Sequence, residues 1–112
     1  MSAPWLATPA KINRAVERIV SVGHPQRVIV FGSTVRGEAG PNSDVDFLVV
    51  TKDEVDRPRQ ESVRLRRALR GIAMPMDILV ISEQRLRALV DQPGLIYREA
   101  VRSGKVMYEA DG

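Results

Sequence analysis

Two short apolar runs separated by a polar segment constrain this chain more than any other feature of its sequence. The first run, Val28–Phe31, leads into Gly32-Ser33, and the second, Val45–Val50, directly follows Asp44 and contains Asp46. Because side chains alternate along a strand, Asp44 and Asp46 are expected on one face, with Cα atoms ~7 Å apart. Like charges at that separation repel each other unless a cation or a proton lies between them. The pattern predicts two strands that place two carboxylates beside a turn with free backbone N–H groups, which suits a divalent ion and a polyphosphate.

A third aspartate follows later in the chain, in the predicted strand Met76–Ile81. An aspartate in such an apolar run costs several kcal/mol if it is ionised, buried and unpaired, and strand interiors disfavour it. If this strand neighbours the second one, Asp77 would lie ~5 Å from the aspartate pair and complete a site for one or two Mg²⁺ ions. The alternative is that Asp44 caps a turn, Asp46 is exposed and Asp77 bonds a loop amide.

Residue usage limits the kind of metal site that the chain can build. The chain has no cysteine and one histidine, so a thiolate site and a multi-histidine site are both excluded. Any metal must then be bound by oxygen, which favours Mg²⁺ or Mn²⁺. No apolar run approaches the ~20 residues of a membrane span, and the N-terminus lacks the pattern of a signal peptide. We therefore expect a cytoplasmic protein with no membrane contact.

The order of predicted elements indicates an α/β (α+β) fold with one small mixed β-sheet flanked by helices. Thr8 and Pro9 predict the start of a first helix that ends at Gly23, before a strand over 27–31. A helix over 59–70 with Gly71 as its C-cap, the strand over 76–81, a helix capped by Ser82, a helix over 95–102 and a strand over 105–108 follow. With 112 residues, the chain is expected to form a single domain, 1–112, in which residues 1–7 are a flexible tail.

Arginine supplies most of the positive charge, fourteen of seventeen basic residues, in a chain of net charge +3. Six arginines cluster in and around the predicted helix over 59–70, namely Arg57, Arg59, Arg64, Arg66, Arg67 and Arg70. A solvated helix face is favoured over a nucleic-acid patch, because strong binding to a phosphate backbone needs a larger basic excess. An acidic partner protein is a third interpretation. Direct nucleic-acid binding is not expected.

The segment from Phe31 to Asp46 resembles the signature of the polymerase-beta-type nucleotidyltransferase superfamily. It contains Gly-Ser, a ten-residue gap and Asp-x-Asp, and an aspartate enters a later strand. The resemblance is closest to the minimal MNT-type nucleotidyltransferases of prokaryotes and implies the polymerase-beta-like nucleotidyltransferase fold. It implies that Asp44, Asp46 and Asp77 ligate the metal and are catalytic, and that Gly32 and Ser33 bind the triphosphate. Arg36 and Ser43 are further candidates for nucleotide binding, and a solvated loop is an equally good interpretation for both.

The resemblance also implies a reaction and a partner. A domain of this length can hold a metal and a nucleoside triphosphate but has little material left for an acceptor pocket. MNT-type proteins pair with HEPN toxins, and some transfer AMP from ATP to a toxin tyrosine. The expected function is therefore an Mg²⁺-dependent adenylyltransferase that acts as an antitoxin on a HEPN-like partner encoded next door. The alternatives are a non-catalytic antitoxin that neutralises its partner by contact, and a nucleotidyltransferase acting on a small-molecule or RNA hydroxyl.

Overall fold

The computed structural model describes residues 7–32, 44–93 and 95–110. In this part of the chain the helices are α1 (Pro9–Gly23), α2 (Pro58–Ala68), α3 (Glu83–Leu89) and α4 (Ile96–Ser103). The strands are β1 (Arg27–Phe31), β2 (Val45–Thr51), β3 (Met76–Ser82) and β4 (Lys105–Glu109). The predicted element order and class are confirmed.

The described strands form one mixed sheet in the order β3-β2-β1-β4. Strand β1 pairs antiparallel with β2 and with β4, whereas β2 and β3 are parallel. Parallel neighbours need a long crossover connection, and α2 supplies it. The two strands that carry the aspartates are therefore direct neighbours and begin at the same end of the sheet.

The two faces of the sheet bury separate apolar clusters because side chains alternate along each strand. On the first face, Val30, Phe47 and Ile78 pack with α1 and α2. On the second face, Phe31, Leu48 and Ile81 pack with Leu86 of α3 and Ala100 of α4. The sheet is thus covered by one helix pair on each side, and each side has its own core.

Helix α1 begins and ends at the predicted residues, with a cap at its end that the sequence does not indicate. The Thr8 hydroxyl accepts a hydrogen bond from the backbone N–H of Lys11 at 3.2 Å, and Pro9 opens the helix. Gly23 remains helical, and His24 takes the left-handed conformation at φ 47° and donates its N–H to the carbonyl of Val20. Gly23 has another role, because a Cβ there would lie 2.9 Å from Leu65 Cδ2. The glycine permits close packing of α1 on α2, and the prediction that the helix ends at Gly23 is confirmed, although His24 and not the glycine takes the left-handed cap conformation.

The remaining caps agree in part with the sequence. Helix α2 ends at Ala68, earlier than predicted, and its C-cap is Leu69, so the prediction of Gly71 as the C-cap is wrong; Gly71 has a positive φ (91°) in the turn that follows. The Ser82 hydroxyl accepts the backbone N–H of Arg85 at 3.2 Å and caps α3 as predicted. Of the predicted tail over residues 1–7, Ala7 alone is described, and it packs against the first core. None of the helices described above is long and apolar enough to cross a membrane.

Candidate functional site

Asp46 and Asp77 lie side by side in the sheet. The parallel register pairs Asp46 with Asp77, one position after Val45 with Met76. Adjacent strands are about 4.8 Å apart, and paired residues share a face. Both aspartates alternate in phase with the side chains of the second core, so they project from the face that α3 and α4 cover. The Cα partner of Asp46 on its other side is Phe31, the last residue of β1.

Asp44 immediately precedes β2 and is exposed. The backbone N–H of Val45 donates to the carbonyl of Pro75 at 2.9 Å, which fixes the start of β2 against the residues that lead into β3. By strand alternation Asp44 lies on the same side as Asp46, whose side chain is half-buried. The chain direction therefore places Asp44 at the outer margin of the sheet and Asp46 one strand repeat further in.

Gly32 makes room for the carboxylate of Asp46. Its φ is 93°, a left-handed conformation that strongly favours glycine. A Cβ at this position would overlap Oδ2 of Asp46. The sequence predicts close approach of a phosphate to this glycine, and in the structure the Asp46 carboxylate is the group that lies against it. The end of β1 and the start of β2 are thus fitted to each other at the site.

Asp77 is exposed, contrary to the burial on which its prediction was based. Its side chain is 63% exposed, and Oδ1 accepts a hydrogen bond from Nη2 of Arg66 at 3.0 Å. The same nitrogen donates to the carbonyl of Met76 at 2.9 Å. Asp77 lies near the start of an edge strand, so water and Arg66 solvate it without a metal. Its position in an apolar run does not by itself require a cation.

Arg66 is a neighbour of the site that its sequence position does not indicate. The sequence predicts it only as one of the solvated arginines of its helix. The hydroxyl of Ser62, one turn earlier in α2, donates to the carbonyl of Ile78 at 2.6 Å. Ser62 and Arg66 are four residues apart, and the carbonyls that they bind are two residues apart in β3. The signal for these contacts in the sequence is that two polar residues four apart in a helix match two positions two apart in a strand. This match can be recognised only when α2 is known to lie along the edge of β3.

The acidic residues offer the right donor chemistry for a hard divalent ion. Asp44, Asp46 and Asp77 supply only carboxylate oxygens, the ligands that Mg²⁺ and Mn²⁺ prefer. Among residues 7–32, 44–93 and 95–110, however, no three histidine, cysteine or carboxylate side chains are grouped closely enough to hold a metal. The ion pair with Arg66 occupies Oδ1 of Asp77. The donor set fits Mg²⁺ in type and in strand register, and Oδ2 of Asp77 is the oxygen that the ion pair with Arg66 leaves for a metal.

Three predicted nucleotide-binding residues, Ser33, Arg36 and Ser43, lie outside the described residues. The structure describes the two ends of the segment that contains them, Gly32 and Asp44. Both ends lie at the sheet margin where β1 ends and β2 begins. The roles of Ser33, Arg36 and Ser43 remain predictions from the sequence.

Comparison with known proteins identifies a family and a fold. Residues 10–105 match a family model described as a nucleotidyltransferase domain. A search of curated proteins gave no significant match. A provisionally assigned nucleotidyltransferase from Sulfolobus solfataricus is similar with a TM-score of 0.61 and 20% identity, over 89% of this chain and 78% of that one.

Two further solved structures are toxin–antitoxin proteins. A mutant of the MntA-HpeT toxin–antitoxin is similar with a TM-score of 0.62 and 17% identity, over 88% of this chain and 73% of that one. A toxin–antitoxin solved with AMP-PNP gives a TM-score of 0.57 and 20% identity, over 88% of this chain and 74% of that one. At identities this low, the structural similarity shows a shared fold alone.

Proposed function

The chain belongs to the nucleotidyltransferase domain family, and we propose that it transfers AMP from ATP to a tyrosine hydroxyl of a HEPN-type partner protein. In this proposal the modification silences a toxin, and the chain is an Mg²⁺-dependent antitoxin. The observation that carries the proposal is the register of Asp46 with Asp77, which puts two carboxylates side by side on neighbouring strands, with Asp46 against the glycine that follows β1.

The proposed reaction is a displacement at phosphorus. The acceptor oxygen forms a bond to the α-phosphorus of ATP, the bond from that phosphorus to the bridging oxygen of the β-phosphate breaks, and pyrophosphate leaves. The proton of the acceptor hydroxyl goes to Asp77, whose side chain is 63% exposed. Such a reaction depends on positioning and on charge stabilisation more than on covalent chemistry by the protein.

Asp44, Asp46 and Asp77 would hold the metal. When bound, Mg²⁺ supplies positive charge that stabilises the triphosphate and the departing pyrophosphate. The backbone after Gly32 would bind phosphate oxygens through Ser33, and Arg36 and Ser43 are the further candidates in the same segment. Arg66 binds Asp77 through Oδ1, so Oδ2 is the oxygen that would ligate the metal. The ion pair is exposed and worth roughly 0–1 kcal/mol, so it would not prevent the Asp77 side chain from turning toward the metal.

The acceptor is proposed to be a separate protein. Within the part of the chain that the structure describes, the helices and strands all belong to one sheet and the helix pairs that cover it, which leaves no further element for an acceptor pocket. The toxin–antitoxin neighbours, one of them solved with AMP-PNP, support both an adenine nucleotide and a toxin partner. A HEPN-like protein encoded next door is the proposed acceptor.

Labelling with ATP that carries the isotope in its α-phosphate tests the proposal directly. The chain is incubated with Mg²⁺, labelled ATP and the product of the adjacent gene. Label is expected on that partner and is expected to be lost when its acceptor tyrosine is changed to phenylalanine. Asp46→Asn and Asp77→Asn are each expected to slow the transfer by ~100-fold or more, the range for removing a group that stabilises developing charge.

Asp53→Asn is the matched control. Asp53 is exposed and follows β2 at the end of the sheet opposite to Asp46, so its neutralisation should leave the transfer rate unchanged. Transfer at the wild-type rate by Asp46→Asn would overturn the assigned site. Absence of label together with full neutralisation of the partner by the double variant Asp44→Asn/Asp46→Asn would favour the non-catalytic antitoxin.

A further inference from the structure

Helix α2 buries a narrow stripe and exposes a broad basic surface. Leu65 in the helix and Leu69 directly after it are buried, with 0% and 2% of their surface exposed. Two arginines of the helix are paired, Arg64 with Glu61 and Arg66 with Asp77. The other arginines in and beside the helix have a different environment.

Arg57, Arg59 and Arg67 are exposed and have no ion-pair partner among the described residues. Arg59, Val63 and Arg67 are spaced four residues apart, so they form one row along the helix with the arginine Cα atoms about 12 Å apart. Val63 lies in the middle of the row and is 47% exposed. We call Arg57, Arg59, Val63 and Arg67 the α2 basic surface.

The α2 basic surface borders an open depression of about 730 Å³. The depression is lined by Arg57, Arg59, Gln60, Val63, Arg64 and Arg67. An exposed valine between unpaired guanidiniums is suited to a ligand that carries negative charge and an apolar group together. Arginine and apolar groups at the centre of a contact are typical of protein–protein interfaces.

The α2 basic surface is separate from the aspartate site. Helix α2 packs on the first face of the sheet, through Leu65, whereas Asp46 and Asp77 project from the second face. Arg66 of α2 contacts Asp77 of that site but is not part of the α2 basic surface. A molecule bound to the α2 basic surface would therefore leave the aspartates open.

We propose that the α2 basic surface docks an acidic amphipathic helix of the protein that accepts the nucleotide. The docked helix would carry carboxylates about two turns apart, to meet Arg59 and Arg67, and an apolar side chain between them, to cover Val63. The inference rests on the proposed function in one respect, that the acceptor is a protein. It adds a contact that holds the acceptor from outside the site.

Charge and composition favour a protein over RNA. Binding to a phosphate backbone grows with the number of phosphates neutralised, and three unpaired guanidiniums in a chain of net charge +3 offer few. Stacking of single-stranded bases needs aromatic side chains, and the residues that line the depression include none. Burial of Val63 against an apolar group of the partner would contribute favourable free energy to binding, and a sugar–phosphate backbone does not provide such a group.

The test measures binding separately from transfer. Calorimetry of the full chain with the adjacent gene product gives a Kd for the wild type and for three double variants. Arg59→Glu/Arg67→Glu is expected to weaken binding by ~10-fold or more, as expected for reversing charges at a complementary interface. Arg59→Lys/Arg67→Lys should retain most of the affinity, and Lys52→Glu/Arg87→Glu, which has the same net charge and lies outside α2, should retain nearly all of it.

Wild-type binding by Arg59→Glu/Arg67→Glu would overturn the proposal, and so would equal weakening by both charge reversals, which would indicate net charge alone. If Arg59→Glu/Arg67→Glu lost the binding of the wild type to a 20-nucleotide single-stranded RNA but still bound the partner, the surface would be assigned to RNA instead. A complex that is sensitive to Arg59→Glu/Arg67→Glu but receives no label would support the docking surface and overturn the proposed transfer. Label on a partner that binds Arg59→Glu/Arg67→Glu as tightly as the wild type would support the proposed transfer and overturn the docking surface. A wild type that neither binds nor labels the partner would overturn both proposals.

Discussion

A hydrogen bond between Arg66 and Asp77 connects helix α2, on one face of the sheet, to a carboxylate that projects from the other face. Nη2 of Arg66 lies 3.0 Å from Oδ1 of Asp77 and 2.9 Å from the carbonyl oxygen of Met76. The guanidinium therefore reaches around the outer edge of β3. Since both side chains are exposed, forming the pair orients Asp77 with little desolvation of either charge.

The Arg66–Asp77 pair is expected to add little to stability. The side chains are 55% and 63% exposed, so a double-mutant cycle with Arg66→Ala and Asp77→Ala should give a coupling energy of ~0.2–1 kcal/mol that falls as salt is added. Urea unfolding of the four proteins measures it. A coupling energy above ~2 kcal/mol that is insensitive to salt would show that the pair is desolvated.

Gly32→Ala and Gly71→Ala separate backbone strain from contact with Asp46. The two glycines have nearly the same φ, 93° and 91°, but a Cβ at Gly71 meets no atom within 4 Å. Each variant should lose ~1–2 kcal/mol to the left-handed backbone. Gly32→Ala should lose more, because its Cβ displaces the Asp46 carboxylate.

Asp46→Ala provides the check on that difference. In this background the extra cost of Gly32→Ala should disappear, while the cost of Gly71→Ala should not change. Chemical denaturation of all six proteins is the measurement. Equal costs for the two glycine substitutions in the wild-type background would contradict a tight contact between Gly32 and Asp46.

The Glu61–Arg64 pair predicts a pH dependence of stability. Two hydrogen bonds, of 2.6 and 2.7 Å, join the Arg64 guanidinium to both carboxylate oxygens, and this bonding lowers the pKa of Glu61 from its usual 4.5. A carboxyl whose pKa is lowered by folding stabilises the folded state above its unfolded pKa. That contribution is fully present at pH 7 and is lost as the pH falls below about 4.5 through the lowered value.

Unfolding of the wild type and Glu61→Gln between pH 7 and pH 3 tests this prediction. The difference in free energy of unfolding should be largest at neutral pH, at most ~1 kcal/mol because Arg64 is half exposed, and should shrink toward acid pH. A difference that is the same at every pH would show that the effect comes from packing.

Gly23→Ala should destabilise the packing of α1 on α2. Its Cβ would lie 2.9 Å from Leu65 Cδ2, closer than side chains normally approach, although the helical backbone of Gly23 itself is unstrained. We expect a loss of ~1–3 kcal/mol, the usual cost of overpacking a core. In a Leu65→Ala background the same substitution should cost much less, and an unchanged cost would contradict the steric explanation.

The sequence predicts local features of this fold better than tertiary ones. Thr8 and Ser82 cap their helices as their residue types predict, and β1 has the bounds that its apolar run indicates. The role of Gly23 was missed because it depends on Leu65, 42 positions away in the chain and on another helix.

The candidate site was predictable in its residue types and only partly in its environment. The neighbouring strands place Asp77 beside Asp46, as the prediction required. The exposure of Asp77 was not foreseen, because an apolar run looks the same in sequence whether its strand lies at the edge or the centre of a sheet. Ser33, Arg36 and Ser43 stay predictions, since they lie outside the described residues.

The hydrogen bonds from Ser62 and Arg66 to the carbonyls of Ile78 and Met76 have a consequence for how this domain can assemble. They occupy acceptors along the outer margin of β3, where an unpaired strand otherwise offers a template for another chain. Over residues 76–78 an incoming strand would have to displace α2 side chains before it could form its own ladder. Edge-to-edge pairing with a strand of another protein is thereby disfavoured over these three positions, and a protein that approaches them meets α2 side chains before it meets the strand backbone.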